Sequence, residues 1–328
     1  MHQPTLVSFL RGPSASTEGV CTESLECYDF FCGCGGWSTG ATQAGHRVVF
    51  ACDNNEGALA AHAANHPDTT HLQASLPLPL GDLPFPTDGR KFHVHGSPPC
   101  QLFSKLKTRG NNRVTGRKHA IDLVRWYLET ALASGCTSWS MEQVPSKVVL
   151  ETVEKFRLKH RALMDYGVFD FYDLGVPQHR KRLLAGSPAL IARLKRLRSH
   201  SRRRSVRDVL TAPRGTHIRH SLSWEKARLR HNRQPGESKY VYTKSENPMW
   251  GCFSIKGPAP TVVSSSIHWA TDGDEPRTAH TALSVAELAA LQCYPDTYKF
   301  PKGKDKSQLL VGNSVPPLVA RLMMGASA

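Results

Sequence analysis

Cys100 follows Pro98-Pro99 and precedes Gln101-Leu102-Phe103-Ser104, so a thiol is carried on backbone that two prolines stiffen. The run Lys91–His95 before it reads as a strand, with Gly96 as the break. A thiol held at a strand end is suited to nucleophilic attack through its thiolate. Downstream come Glu142, then Gln178-His179-Arg180-Lys181-Arg182, then Gly312-Asn313-Ser314-Val315. Upstream, Asp29-Phe30-Phe31-Cys32-Gly33-Cys34-Gly35-Gly36 places three glycines between two periodic runs. Glycine there permits a tight turn and close approach of the main chain to a ligand. A dinucleotide fingerprint is not met, because Ser38 holds its third glycine position, which disfavours NAD. Asp53 stands about 20 residues beyond Gly33, where an acid can bind ribose hydroxyls. The pair fits a nucleoside cofactor without a pyrophosphate, such as S-adenosylmethionine.

These residues need a scaffold of alternating strands and helices. Tyr28–Phe31 reads as a buried strand, Ser38–Ala44 as a helix, Arg47–Cys52 as a strand ending at Asp53, and Ala58–Asn65 as an Ala-rich helix. That order begins a doubly wound α/β domain. Leu76–Pro86 is proline-rich and reads as loop. His119–Ser134 and Lys147–Tyr166 read as helices, Thr137–Met141 and Val168–Tyr172 as strands, the first of these ending at Glu142. The candidates thus recur at strand C-terminal ends, where open α/β sheets place their sites. Ser284–Leu291 and Pro316–Met324 read as closing helices.

The chain has 328 residues and a formal net charge of +15. That excess suits a polyanionic partner, most often nucleic acid. It is concentrated: Arg193–Arg233 carries many arginines and lysines, Arg202, Arg203 and Arg204 among them, against only Asp208 and Glu225. No apolar run approaches the roughly 20 residues that span a bilayer, and Met1–Arg11 has no signal-peptide core. An intracellular protein is expected: nuclear in a eukaryote, in cytoplasm or nucleoid in a bacterium. The nine cysteines form no disulfide framework and no zinc-type CxxC pairs. His93 and His95 share one strand face, where packing is a better reading than a metal pair.

Taken in order, these motifs resemble those of the cytosine-C5 DNA methyltransferase family, from about Cys27 to Arg182 and from about Gly257 to Met324. The resemblance implies a Rossmann-like doubly wound sheet of the class I methyltransferase kind with a second, smaller target-recognition domain. It divides the chain into a tail (1–25), a catalytic domain (26–186), a basic recognition domain (187–280) and a C-terminal return (281–328). It implies S-adenosylmethionine held by Phe31, Gly33, Gly35, Gly36, Asp53, Asn54, Pro99, Asn313 and Ser314. It makes Cys100 the nucleophile, Glu142 the acid, Arg182 the ligand of the base's O2, and Arg180 a brace. Three departures stand out. Gln143 replaces the usual Asn beside the catalytic Glu. The third-motif Asp, expected near Gln73–Ser75, is absent. Thr281 stands where an Arg often begins the ninth motif.

The residue chemistry agrees. Cytosine C5 is a poor nucleophile until a thiolate adds at C6, when C5 becomes enamine-like and can attack a methylsulfonium. N3 must gain a proton as the thiolate adds, a task for Glu142. In duplex DNA the base must first be flipped out. Gln101–Lys118 has no acid but carries Lys105, Lys107, Arg109 and Arg113, and with Ser104 it reads as a loop that closes over the base and touches phosphates. The expected reaction is methyl transfer to C5 of cytosine in duplex DNA by a monomer. The alternatives are a C5 methyltransferase acting on transfer RNA and a catalytically weak DNA-binding relative.

Overall fold

The computed structural model describes residues 23–99, 113–210, 216–218, 239–243, 252–263, 267–271 and 280–325. The chain runs β1 (Glu26–Phe30), α1 (Gly36–Gln43), β2 (Arg47–Asp53), α2 (Glu56–Asn65), β3 (Thr70–Gln73), β4 (Phe92–Gly96), α3 (Arg113–Ala133), β5 (Ser138–Gln143), α4 (Lys147–Lys159), β6 (Asp165–Asp170), β7 (Lys181–Gly186) and α5 (Pro188–His200). One seven-stranded sheet takes the order β3-β2-β1-β4-β5-β7-β6. The pairs from β3 through β5 are parallel, and β7 is antiparallel to both β5 and β6. Strand order reverses between β1 and β4, so their C-terminal ends flank the crevice where such sheets bind ligands.

Alternation assigns the two faces. Tyr28 and Phe30 pack with Phe50, Phe92, Val94, Val124 and Tyr127, whereas Cys27 packs with Trp37, Val48, Val315 and Ala320. Each fully buried large apolar side chain stabilises by roughly 1.5–3 kcal/mol relative to exposure. Asn55 caps α2, its side chain accepting from the Ala58 amide at 2.9 Å.

The C-terminal helices, α6 (Val285–Leu291), α7 (Lys304–Asn313) and α8 (Pro317–Met324), return to this sheet. Ser284 and Glu287 form a capping box that starts α6. A Cβ on Gly36 would collide with the Val315 carbonyl oxygen, so only glycine lets α1 and the residues before α8 approach this closely. A second sheet is antiparallel throughout, with β8 (Thr216–Ile218), β9 (Lys239–Thr243), β10 (Cys252–Ser254), β11 (Ile267–Thr271) and β12 (His280–Ala282) in the order β10-β9-β11-β12-β8. Helix α5, inside the basic stretch, buries Ile191 and Leu194 against Phe169, Leu184, Val319 and Met323 of the first unit's core. Lys147–Lys159 is helical but Asp165–Asp170 is strand, so the periodicity that predicts one helix to Tyr166 overruns by about two turns.

Candidate active site

The site gathers at the C-terminal edge of β1, β2, β4 and β5 and the start of β7. After β1 the backbone turns sharply through Phe31 (φ 56°) and Gly33 (φ 54°), both left-handed. The Gly33 amide donates to Asp53 Oδ2 at 2.9 Å and the Asn55 amide to Oδ1 at 2.8 Å. Asp53 therefore ties the ends of two neighbouring strands together. Burial raises its pKa, and the amides oppose that rise. A Cβ on Gly33 would meet nothing within 4 Å, so the turn opens onto free space. Phe31, half-buried and edge-on to Trp126 at 6.1 Å, stands beside it. An open glycine turn, a neighbouring aromatic face and a carboxylate fit the adenosyl group of S-adenosylmethionine. Gly35 and Gly36 serve a different end. Their Cβ positions are taken by the Tyr298 and Tyr294 hydroxyls. Tyr298 donates to the Cys34 carbonyl and Tyr294 touches the Cys34 thiol at 3.3 Å. Asn54, Pro99 and Asn313 are exposed, and Ser314 is buried.

Beneath the turn, Asp29 is buried and accepts from Ser38 Oγ at 2.6 Å. Ser38 meets His62 Nε2 at 3.0 Å, and His62 Nδ1 meets His71 Nε2 at 2.8 Å. Burial pushes His62 down to about 2 and Asp29 up to about 7, the Ser38 hydrogen bond opposing the rise in Asp29 and the Asp53 charge adding to it. The unfolded chain loses this proton at the ordinary 3.8, so the stability that goes with a protonated Asp29 is complete below that pH and is lost as pH climbs through about 7. Urea melts at about pH 5 and about pH 8 should therefore show the wild type losing stability relative to Asp29→Asn at the higher pH. A constant difference would contradict this account.

On the other side of the crevice, the Ser97 amide continues the β1–β4 pairing by donating to Phe30 O at 3.1 Å. Gln143, fully buried, donates from Nε2 to the Pro98 carbonyl at 2.8 Å and accepts the Val144 amide at Oε1. The longer amide thus holds the root of the Cys100 segment. Gln143→Asn should lower the single-turnover rate by about tenfold or more, because the shortened side chain cannot keep both bonds. An increase in rate would mark Gln143 as a damaged Asn. Glu142 is buried and Arg182 partly so, Arg182 Nε lying 2.8 Å from Glu142 Oε1. The Arg182 guanidinium therefore neutralises the Glu142 carboxylate at the end of β5 and holds it in place.

Arg180 is fully buried and donates to Val262 O, Gly312 O and Ser314 O, clamping the Gly312–Ser314 segment. Gln178 donates to Leu291 O and Gln292 Oε1 and accepts the Val262 amide. Arg202 is exposed, 4.0 Å from Asp208. Arg203 pairs with Asp173 at 2.7 Å and lies 5.6 Å over the Tyr172 ring. Arg204 donates to Gly175 O and Cys293 Sγ. Cys100, Ser104, Lys105, Lys107 and Arg109 lie outside the described residues, and Arg113 opens α3. Among the described residues no cluster of three or more His, Cys, Asp or Glu could hold a metal ion, and no helix is long and apolar enough to cross a membrane. His93 and His95 bond to serines. His62 and Trp37 escaped sequence reasoning, as did the hydrogen bond between Asp29 and Ser38, the only signal being polar residues inside otherwise apolar strands and helices.

The sheet order with its one antiparallel strand β7, and the crevice at the β1/β4 reversal, are those of a class I methyltransferase. The chain belongs to the C-5 cytosine-specific DNA methylase family, whose profile matches residues 25–326. Its similarity to type II methyltransferase M.HgiDI of Herpetosiphon aurantiacus is 27% identity over 323 residues, covering 89% of this chain and 90% of that one. Type II methyltransferase M1.HphI of Haemophilus parahaemolyticus is 29% identical over 331 residues, with 92% and 86% covered. In fold the chain is similar to a protein described as a DNA modification methyltransferase encoded within an E. coli prophage (TM-score 0.61, 20% identity, 92% and 97% covered). It is also similar to the S. pombe Dnmt2 methyltransferase (TM-score 0.56, 16% identity, 92% and 97% covered). The protein is a DNA cytosine-5 methyltransferase by family.

Proposed function

We propose that this chain transfers the methyl group of S-adenosylmethionine to C5 of a flipped-out cytosine in duplex DNA through a covalent Cys100–C6 adduct. The observation that carries the reading is the Glu142–Arg182 ion pair at the sheet edge, beside a glutamine that holds the root of the Cys100 segment. S-adenosylmethionine, which Phe31, Gly33, Asp53, Asn54, Pro99, Asn313 and Ser314 would hold, would supply a methyl group on a positively charged sulfur. The chain's own residues do the rest. The Cys100 thiolate adds to C6. Glu142 holds a proton at N3, and Arg182 holds O2 of the base. After methylation the C5 proton passes to a solvent base, the thiolate leaves C6 and the N3 proton returns to Glu142, restoring aromaticity. Ser104, Lys105, Lys107, Arg109 and Arg113 contact phosphates beside the base, and Arg202 is the member of its arginine run with the fewest competing bonds. Arg203 and Arg204 are engaged within the protein.

Duplex DNA is favoured over transfer RNA because the curated relatives at 27% and 29% identity are named type II methyltransferases. The test is trapping on a duplex containing 5-fluorocytosine. Fluorine at C5 blocks the final elimination, so a complex that survives denaturant is expected with S-adenosylmethionine present. No trapped complex with DNA, but methyl transfer to transfer RNA, would move the reading to the RNA branch. DNA binding without either would make the chain a binder.

A further inference from the structure

Strands β4 and β5 carry an unusual feature for the centre of a sheet: five polar side chains in one continuous hydrogen-bonded ladder. Ser138 Oγ meets His93 Nδ1 at 2.8 Å, and His93 Nε2 meets Ser140 Oγ at 2.9 Å. Ser140 Oγ also meets His95 Nδ1 at 2.8 Å, and His95 Nε2 meets Ser97 Oγ at 3.0 Å. The register explains the rungs, since His93 pairs with Ser138 and His95 with Ser140 across the parallel strands. Trp37 of α1 covers both imidazoles, stacked at 4.4 Å and 2° on His95 and at 5.3 Å and 13° on His93. Both histidines are buried, and burial holds their pKa values far below the ordinary range, so each ring is neutral with one donor and one acceptor nitrogen. A neutral ring with both nitrogens bonded is locked in orientation.

Apolar residues would fill this space at lower cost, because every buried polar atom must find a partner. The ladder also leads somewhere. It ends on Ser97, whose amide bonds to Phe30 O next to the cofactor turn and whose neighbour Pro98 is held by Gln143. Cys100 follows three residues later. The root of the Cys100 segment is thus fixed at three points: the Ser97 amide, the Ser97 hydroxyl and the Pro98 carbonyl. Gln143 supplies one, the sheet another, and His95 the third.

We propose that His95, acting through Ser97, is a positioning residue that sets the approach of the Cys100 segment to the base and cofactor. This rests on the reading of Cys100 as nucleophile. The histidine touches no substrate. It fixes the Ser97 side chain, and its ring is fixed in turn by Ser140, His93 and the Trp37 face. Misplacing a nucleophile by a fraction of an ångström slows the chemical step without weakening binding.

The experiment compares His95→Phe, which keeps a flat ring under Trp37, with His95→Gln, Ser97→Ala and the Ser97→Ala/His95→Phe double variant. The readouts are single-turnover methyl transfer to duplex DNA, equilibrium binding of S-adenosylmethionine and DNA, and hydrogen exchange at the Ser97 amide. His95→Phe and Ser97→Ala should each lower the single-turnover rate about tenfold or more, with both binding constants within about twofold. The double variant should be no slower than the slower single variant, and His95→Gln should recover part of the rate. The Ser97 amide should exchange faster in both single variants. Should His95→Phe fail to fold, Ser97→Ala alone decides. A wild-type rate in Ser97→Ala, additive losses, or losses matched by weaker cofactor binding would each overturn the proposal. A wild type inert toward DNA would refute the functional reading, and the exchange measurement would still decide whether His95 holds Ser97.

Discussion

Replacing Cys100 by serine is expected to abolish methyl transfer while leaving DNA and cofactor binding largely intact. The chemistry demands a nucleophile that is appreciably ionised and soft enough to add to an sp² carbon. A thiol meets both demands near neutral pH and an alcohol neither. Sequence supplies no substitute close by, since the flanking residues are prolines, Gln101 and Leu102. The other cysteines among the described residues include Cys27, Cys32, Cys34 and Cys52, all buried, with burial driving each thiol away from its reactive form. Cys52, for one, is pushed up to about 11. The check is single-turnover transfer of labelled methyl groups together with 5-fluorocytosine trapping. Turnover retained by Cys100→Ser would remove this residue from the mechanism.

Glu142→Gln is the second large effect expected. The amide keeps the size and burial of the side chain but cannot carry a proton to N3 or return it. The loss should fall on the chemical step, on the order of 10²–10⁴-fold. The variant also deprives Arg182 of its ionic partner, so a melting curve belongs beside the kinetics. A lost rate with an intact melt assigns the effect to proton transfer. A rate equal to wild type would sink the role. If the rate falls only in proportion to the folded fraction, Glu142 is a structural partner of Arg182 and nothing more.

Much of the sheet and its edge was legible in the sequence, because the central strands are almost wholly apolar and each ends at a residue that changes the backbone. Tyr28–Phe31, Arg47–Cys52 and Thr137–Met141 coincide with β1, β2 and β5 to within about two residues, the usual uncertainty of an element end. Three of the elements that the sequence did not reveal show why. Strand β3 is four residues long and mostly exposed, with no alternation to mark it. Strand β7 begins inside the Gln178–Arg182 motif, whose charged residues hide the Leu183-Leu184-Ala185 run. Helix α5 is dense in arginine and lysine, which swamp a stripe made only of Leu190, Ile191 and Leu194. For the candidate site, motif order named Asp53, Glu142 and Arg182, which the fold brings to one sheet edge, and sequence could pose but not answer what Gln143 does. Its bond to the Pro98 carbonyl is a tertiary fact. The same holds for Arg180, read from sequence as a brace, whose three carbonyl partners only the fold reveals.

The glycine turn is buttressed by Tyr294, which lies 260 positions beyond Cys34, and His46 reaches 278 positions to the Met324 carbonyl. A ribosome making this protein therefore finishes the cofactor turn long before it makes the residues that hold it. The nascent sheet waits with Trp37, Ala41 and Val48 lacking the Val315 and Ala320 that cover them. A chain that stopped short of Tyr294 is expected to expose this apolar surface and to leave the glycine turn without its support, the kind of surface that makes partly folded chains prone to aggregate.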